Sequence, residues 1–221
     1  KYYKMNIAIL LPYKENFTKK SAGAVSIFVN DTIKLSKYKK NIKVYGYTSS
    51  RDRLNYYKNI HIKKRFLYST SFQYLNKFLD ETKNIKIDIL EIHNRPNYVN
   101  FLDKNYYSIK ILYFHNDPQK MLGSRTINER INLLNKTKKI IFNSYWSKSR
   151  FLENLPNDTI QDKLSVIPQS TSKSKINFDK KKKLISFIGK LNISKGYDVF
   201  GKSILKILDK YPDWKSIVIG D

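Results

Sequence analysis

The residues best placed to do chemistry sit where short apolar runs end. His93 and His115 directly follow Ile87–Ile92 and Ile109–Phe114, and Asn143 and Ser144 close a third run that begins at Lys139. Apolar runs of that length between polar residues read as buried strands. Open parallel sheets bind ligands beyond the carboxyl ends of their strands, so three separate strand ends present polar groups to one edge. Asn94, Arg95, Asn116 and Asp117, next to the two histidines, belong to the same candidate cleft, although Asp117 could equally shape the turn before Pro118. His61 lies inside Ile60-His61-Ile62 and reads as an ordinary strand residue.

A second cluster lies at Phe187–Phe200, FIGKLNISKGYDVF. A strand runs into Gly189 and Lys190, and Lys195-Gly196 then precede a helix. Two ammonium groups at such a junction suit a diphosphate and would neutralise charge as a nucleotide leaves. In a chain with 36 lysines, a solvated basic face explains that spacing as well. The loop Ser21-Ala22-Gly23-Ala24 also joins a strand to a helix. Helix N-termini attract phosphate and glycine permits close approach, yet a plain turn accounts for one glycine equally. The sequence contains no GxGxxG and no GxxxxGK[ST], which disfavours dinucleotide and P-loop sites. Its carboxylates, Asp88, Glu91, Asp103 and Asp117 among them, are scattered. No metal-ligand spacing is present and there are no cysteines, so neither a bound metal nor a cofactor is expected.

The elements that must position these residues alternate along the chain. Strands are expected at Asn6–Leu11, Lys43–Tyr47, Ile60–Lys63, Ile87–Ile92, Ile109–Phe114, Lys139–Asn143 and Leu164–Ile167. Helices are expected from Gly23 to about Lys37, over Ser71–Thr82, after the Thr126/Glu129 capping-box pair, and over Ser144–Glu153. Gln169–Lys183 is polar, has no periodicity and reads as a linker. Beyond it, Leu184–Ile188, a helical face of Phe200, Ile204, Ile207 and Leu208, and Ser216–Ile219 form one more strand–helix–strand unit. Such alternation implies a doubly wound parallel α/β sheet. The expected organisation is a first domain over 5–172, a linker over 173–183 and the start of a second Rossmann-like domain over 184–221. One β-α-β unit cannot bury its own apolar faces, so the second domain is expected to be incomplete.

The formal net charge of +25 points toward nucleic acid or an anionic membrane surface. Against that, 36 Lys, 27 Ile, 21 Asn and 17 Tyr accompany only 7 Arg and 3 Ala, the signature of an A/T-rich coding sequence. The lysines are spread along the chain and no zinc-finger or RNP pattern accompanies them, so no nucleic-acid partner is expected. No apolar stretch reaches the ~20 residues needed to cross a bilayer, and the apolar run after Lys4 is too short for a signal peptide. A cytoplasmic location, with possible peripheral contact at an anionic membrane, is the expectation.

Taken in order, these segments resemble the retaining glycosyltransferase family 4 (glycosyl transferases group 1) of the GT-B fold. FIGKLNISKGYDVF resembles the "GR-(x)n-KG" opening of that family's C-terminal domain, and WKSIVIGD its next strand. SVIPQS resembles the stretch before the interdomain linker, EIHNRP and LYFHNDP the two strand-end histidine segments, and IIFNSYWSKSRFL the following helix entry. The resemblance implies a transferase moving a sugar from a nucleotide-diphosphate-sugar donor to a glycan or lipid-linked acceptor, as in cell-surface polysaccharide synthesis. It gives His115 and Lys195 catalytic roles, and places the donor diphosphate at Gly23, Gly189, Lys190, Lys195 and Gly196. The acceptor cleft would comprise His93, Asn94, Arg95, Asn116, Asp117 and Ser144. The proton of the attacking hydroxyl would go to the leaving phosphate, so no protein base is required. Ala22 stands where the family has a first loop glycine, Lys190 where it has Arg, and Gln169-Ser170 where it has Asn-Gly. The family's Glu-x7-Glu segment would lie beyond Asp221, so this chain alone is expected to be inactive. Alternatives are a polyanion-binding module, a sugar-nucleotide epimerase and a phosphorylase.

Overall fold

The computed structural model describes residues 5–63, 67–103, 108–156, 161–170 and 181–220. The chain divides into two compact units, Lys1–Thr171 and Ser172–Asp221.

The first unit is a seven-stranded sheet in the order β3-β2-β1-β4-β5-β6-β7. Its strands are β1 (Ile7–Leu10), β2 (Ile42–Gly46), β3 (Tyr57–Asn59), β4 (Ile89–His93), β5 (Ile109–Phe114), β6 (Lys139–Phe142) and β7 (Leu164–Val166). Every pairing between them is parallel. The strand order reverses between β1 and β4, where a doubly wound sheet opens its ligand crevice.

Helices cover both faces. On one, Val25, Val29 and Ile33 of α1 (Ala24–Leu35) pack with Ile9, Leu11 and Val44. On the other, α2 (Thr70–Thr82), α3 (Pro96–Asp103), α4 (Ile127–Lys136) and α5 (Tyr145–Leu152) supply Tyr74, Phe78, Tyr98, Leu102, Leu133 and Phe151 to the larger core. There Phe114 and Phe142 stack at 5.6 Å, with Phe151 against both. Successive strand residues point to opposite faces. Leu90 and Ile92 therefore enter the large core, while Glu91 and His93 share the α1 side.

The helix starts follow local chemistry. Thr126 Oγ1 accepts the Glu129 N–H and Glu129 Oε2 accepts the Thr126 N–H, the expected capping box. Ser144 caps α5 in the same way through the Ser147 N–H.

Two expectations need correction. The strand sought at Ile60–Lys63 lies instead at Tyr57–Asn59, because Val44, Tyr45 and Gly46 pair with those three residues. Ile60 then donates its N–H to Gly46 O and buries its side chain beyond the strand end. Helix α3 was not expected at all. It opens on Pro96, a residue pre-set for a first helical turn, and buries Tyr98, Val99 and Leu102 at a 3–4 residue spacing. The middle of the expected linker, 171–180, lies outside the described residues.

The second unit pairs β8 (Leu184–Ile188) with β9 (Lys215–Ile219) in parallel across α6 (Tyr197–Lys210). Phe187 meets Tyr197 and Phe200 at ring distances of 5.4 and 5.3 Å, fixing α6 to β8. The strand tips approach closely: Gly189 N–H donates to Ile219 O, and a Cβ on Gly220 would lie 1.8 Å from Gly189 O.

Candidate functional site

The two histidines expected at strand ends lie side by side. His93 is the last residue of β4, not the first beyond it, and has no exposed surface. His93 pairs with Tyr113 in register, so His115 is its diagonal neighbour on the same face. The rings of His93, Tyr113 and His115 stack, with His93–Tyr113 at 4.9 Å and His93–His115 at 5.1 Å. Phe28 of α1 closes the stack edge-on, 5.2 Å from His115.

Hydrogen bonds thread these rings together. Glu91 Oε1 lies 2.6 Å from His93 Nε2, His93 Nδ1 lies 2.8 Å from His115 Nε2, and His115 Nδ1 lies 2.9 Å from Gln169 Nε2. The His115 backbone is held from both sides: its N–H donates to Asn94 Oδ1, and its carbonyl accepts from Asn143 Nδ2. Asn94 adopts a left-handed φ of 56°, which asparagine tolerates better than most residues. Burial, reinforced by the neighbouring His93, pushes the His115 imidazole down to about 3. His115 is therefore a neutral ring at physiological pH. It can give or take a hydrogen bond but brings no positive charge.

Beside this stack is a cleft of about 580 Å³ lined by Ser71, Asn94, Arg95, Pro96, Asn97, Asn116, Asp117, Lys120, Met121 and Leu122. Asn94, Arg95, Asn116 and Asp117 thus share one cleft. Neither His93 nor His115 lines it; His93 stands behind His115 as a support. Ser144 does not line it either, and its hydroxyl is committed to the α5 cap. Asp117 also holds a turn: its Oδ1 accepts the Gln119 N–H, and Arg150 Nε lies 3.6 Å away.

Gly23 is the N-cap residue of α1. The helix terminus behind it is already occupied by a carboxylate, since Glu15 Oε1 accepts the Ser26 N–H at 3.1 Å. A Cβ on Gly23 would come 2.2 Å from that oxygen, so the glycine makes room for Glu15.

In the second unit, Lys195 ends a 3-10 turn and Gly196 follows at φ 73°, a left-handed conformation that glycine adopts without strain. Nothing lies within 4 Å of a Cβ built there, so conformation and not space calls for glycine. Lys190 and Lys195 are exposed and, among the described residues, their side chains have no ion-pair or hydrogen-bond partner.

Reading the sequence missed Glu91, Tyr113, Phe28 and Gln169. The first two had a signal, because residues two apart in a strand share a face. Phe28 and Gln169 come from distant segments and had none. Among the described residues, no group of three His, Asp or Glu side chains could hold a metal ion.

No family profile and no curated protein matches the sequence. Solved structures do match in fold. A glycosyltransferase from Rickettsia africae aligns with 99% of this chain and 61% of its own, at a TM-score of 0.66 and 16% identity. HepE from Anabaena, solved in complex with UDP, covers 97% of this chain and 69% of its own at a TM-score of 0.60 and 10% identity. The UDP-GlcNAc 2-epimerase of Neisseria meningitidis, bound to UDP-GlcNAc, covers 97% and 65% at 0.58 and 14%. This chain thus spans about two thirds of the length of these proteins, and its Rossmann-like α/β fold is that of the GT-B enzymes.

Proposed function

We propose that this chain is the acceptor-side domain and the opening of the donor-side domain of a retaining glycosyltransferase. The full-length enzyme would transfer a sugar from a nucleotide-diphosphate-sugar donor to a glycan or lipid-linked acceptor. Family 4 is the proposed family, and cell-surface polysaccharide synthesis at the inner face of the membrane the proposed setting. The observation that carries the reading is the neutral His115 at the carboxyl edge of a doubly wound sheet, with the flanking Asn116 and Asp117 lining a cleft together with Asn94 and Arg95. The likeness to proteins solved with UDP and UDP-GlcNAc supports a nucleotide-sugar donor.

In this reading the bond from the anomeric carbon to the diphosphate breaks as the acceptor hydroxyl bonds to the same carbon. The hydroxyl proton passes to the departing phosphate. Lys190 and Lys195 offset the charge that develops on the diphosphate. His115 contacts the transferred sugar through hydrogen bonding, and Asn94, Arg95, Asn116 and Asp117 hold the acceptor.

The test is a donor screen of the full-length enzyme, read as release of nucleoside diphosphate with and without glycan acceptors. Acceptor-dependent release supports transfer. Conversion of one sugar nucleotide into another without an acceptor would identify a sugar-nucleotide epimerase, a second reading favoured by the fold likeness to the Neisseria enzyme.

A further inference from the structure

The chain Glu91–His93–His115–Gln169 has a direction, and only one of its members can set it. A neutral imidazole carries one donor and one acceptor, and which nitrogen holds the proton is free to change. A carboxamide can present either its NH2 or its oxygen. With both rings neutral, two rings and one amide therefore allow two self-consistent arrangements. An ionised carboxylate only accepts, and that breaks the tie. His93 must donate from Nε2 to Glu91 Oε1, which leaves its Nδ1 as an acceptor. His115 then donates from Nε2 to His93 and is left with a bare Nδ1. Gln169 fills that lone pair with its Nε2–H.

The ends of the chain differ in how firmly they are held. The rings are buried between Phe28, Tyr113 and the strands, and the His115 backbone is fixed by Asn94 and Asn143. Gln169 is exposed. It is the replaceable member.

We propose that Glu91 and His93 are positioning residues that hold His115 with its Nδ1 unprotonated, and that Gln169 occupies this nitrogen as the protein's own donor until a ligand hydroxyl replaces it. A group taking the place of Gln169 must itself donate a hydrogen bond. A hydroxyl qualifies, whereas a fully ionised phosphate or a carboxylate does not. On the function proposed above, on which this last step rests, the hydroxyl belongs to the transferred sugar and the diphosphate binds elsewhere.

Nitrogen-15 NMR of the 221-residue chain labelled at histidine tests this without any ligand. At pH 7.5, His93 and His115 should both show a protonated Nε2 and a bare Nδ1. A proton on His115 Nδ1, or a charged His115, would overturn the proposal. In Glu91→Gln the carboxamide can donate to His93 Nε2, so a substantial fraction of both rings should move their proton to Nδ1. Unchanged tautomers in that variant would remove Glu91 from the role. Gln169→Ala, at an exposed position, should leave both tautomers in place and alter only the environment of His115 Nδ1; scrambled tautomers there would show that Gln169 sets the direction, and would overturn the assignment. The wild-type spectrum decides the tautomer even if a variant fails to fold.

The ligand half is read in the full-length enzyme. Glu91→Gln should raise KM for the sugar nucleotide up to about tenfold, the scale of one hydrogen bond, with a smaller change for the deoxy-sugar donor lacking the contacted hydroxyl. Equal changes for every deoxy donor would overturn the hydroxyl exchange. Absence of turnover with every sugar nucleotide would overturn the proposed transferase while leaving the tautomer result standing.

Discussion

The two units use the same strand–helix–strand grammar and end in opposite states. In the first, seven strands and five helices enclose side chains such as Leu10, Phe78, Leu112, Phe114 and Phe142 at no measurable exposure. In the second, two strands and one helix leave Ile193 82% and Leu205 68% exposed, and Ile204 is the one buried hydrophobic side chain among the described residues. A parallel sheet needs cover on both faces, and two strands with one helix cannot provide it. The chemistry divides in the same way. His115 is a neutral ring fixed by stacking and four hydrogen-bond partners inside the folded layer. Lys190 and Lys195 are ammonium groups in water, where their fields are screened within about 10 Å at ordinary salt.

The largest expected effect probes the core that only the first unit has. Phe114→Ala removes a ring packed on Phe142 and Phe151 and should cost about 3–5 kcal/mol of stability, read by chemical denaturation. Next is the exposed chemistry. In the full-length transferase proposed above, Lys195→Ala should lower turnover by about 10²–10³ fold, and near-normal turnover would remove Lys195 from its proposed diphosphate role. Ile204→Ala should cost no more than about 2 kcal/mol, the low end for such a truncation, read by hydrogen exchange at β8 and β9. A cost equal to that of Phe114→Ala would mean the second unit has a core of its own.

Smaller effects separate the buried site from the exposed one. The folded His115 takes up a proton only near pH 3, whereas an unfolded histidine does so near 6.5. Between those values the unfolded chain binds the extra proton. His115 therefore favours unfolding by up to about 1.4 kcal/mol per pH unit as pH falls from about 6.5 toward 3, and has no such effect above 6.5. His115→Gln should flatten that part of the stability profile. The smallest effect is at α1: Glu15→Gln should cost about 0.3–1 kcal/mol through the helix terminus. If the diphosphate of the proposed transferase reaches Gly23, as the family resemblance implies, the same change in the full-length protein should tighten nucleoside diphosphate binding severalfold, and unchanged binding would remove Gly23 from that role.

Most of the architecture was legible because it is local. Strand runs such as Ile109–Phe114, the Thr126/Glu129 capping box and the Ser144 helix start depend on neighbours within four residues. The strand at Tyr57–Asn59 was misplaced because its register is set by β2, and the adjacent Ile60–Lys63 looked more apolar. Helix α3 went unseen because the segment is short and opens on Pro96 directly after the His93-Asn94-Arg95 turn. Within the site, the sequence placed His93 and His115 at the right edge but could not show that they touch. Their contact requires β4 and β5 to pair with His93 opposite Tyr113, a choice made 20 residues apart along the chain.

The sequence by itself determined the alternation of strand and helix, the glycine at the left-handed position after Lys195, and the polar groups at the carboxyl ends of the strands. These follow from backbone sterics and side-chain periodicity, which act over a few residues. Tertiary structure alone decided that Glu91, His93, His115 and Gln169 form one hydrogen-bonded line, and that His115 is neutral. Sheet register, the approach of a segment from beyond β7 and the exclusion of water are properties of the packed whole, and no local pattern encodes them.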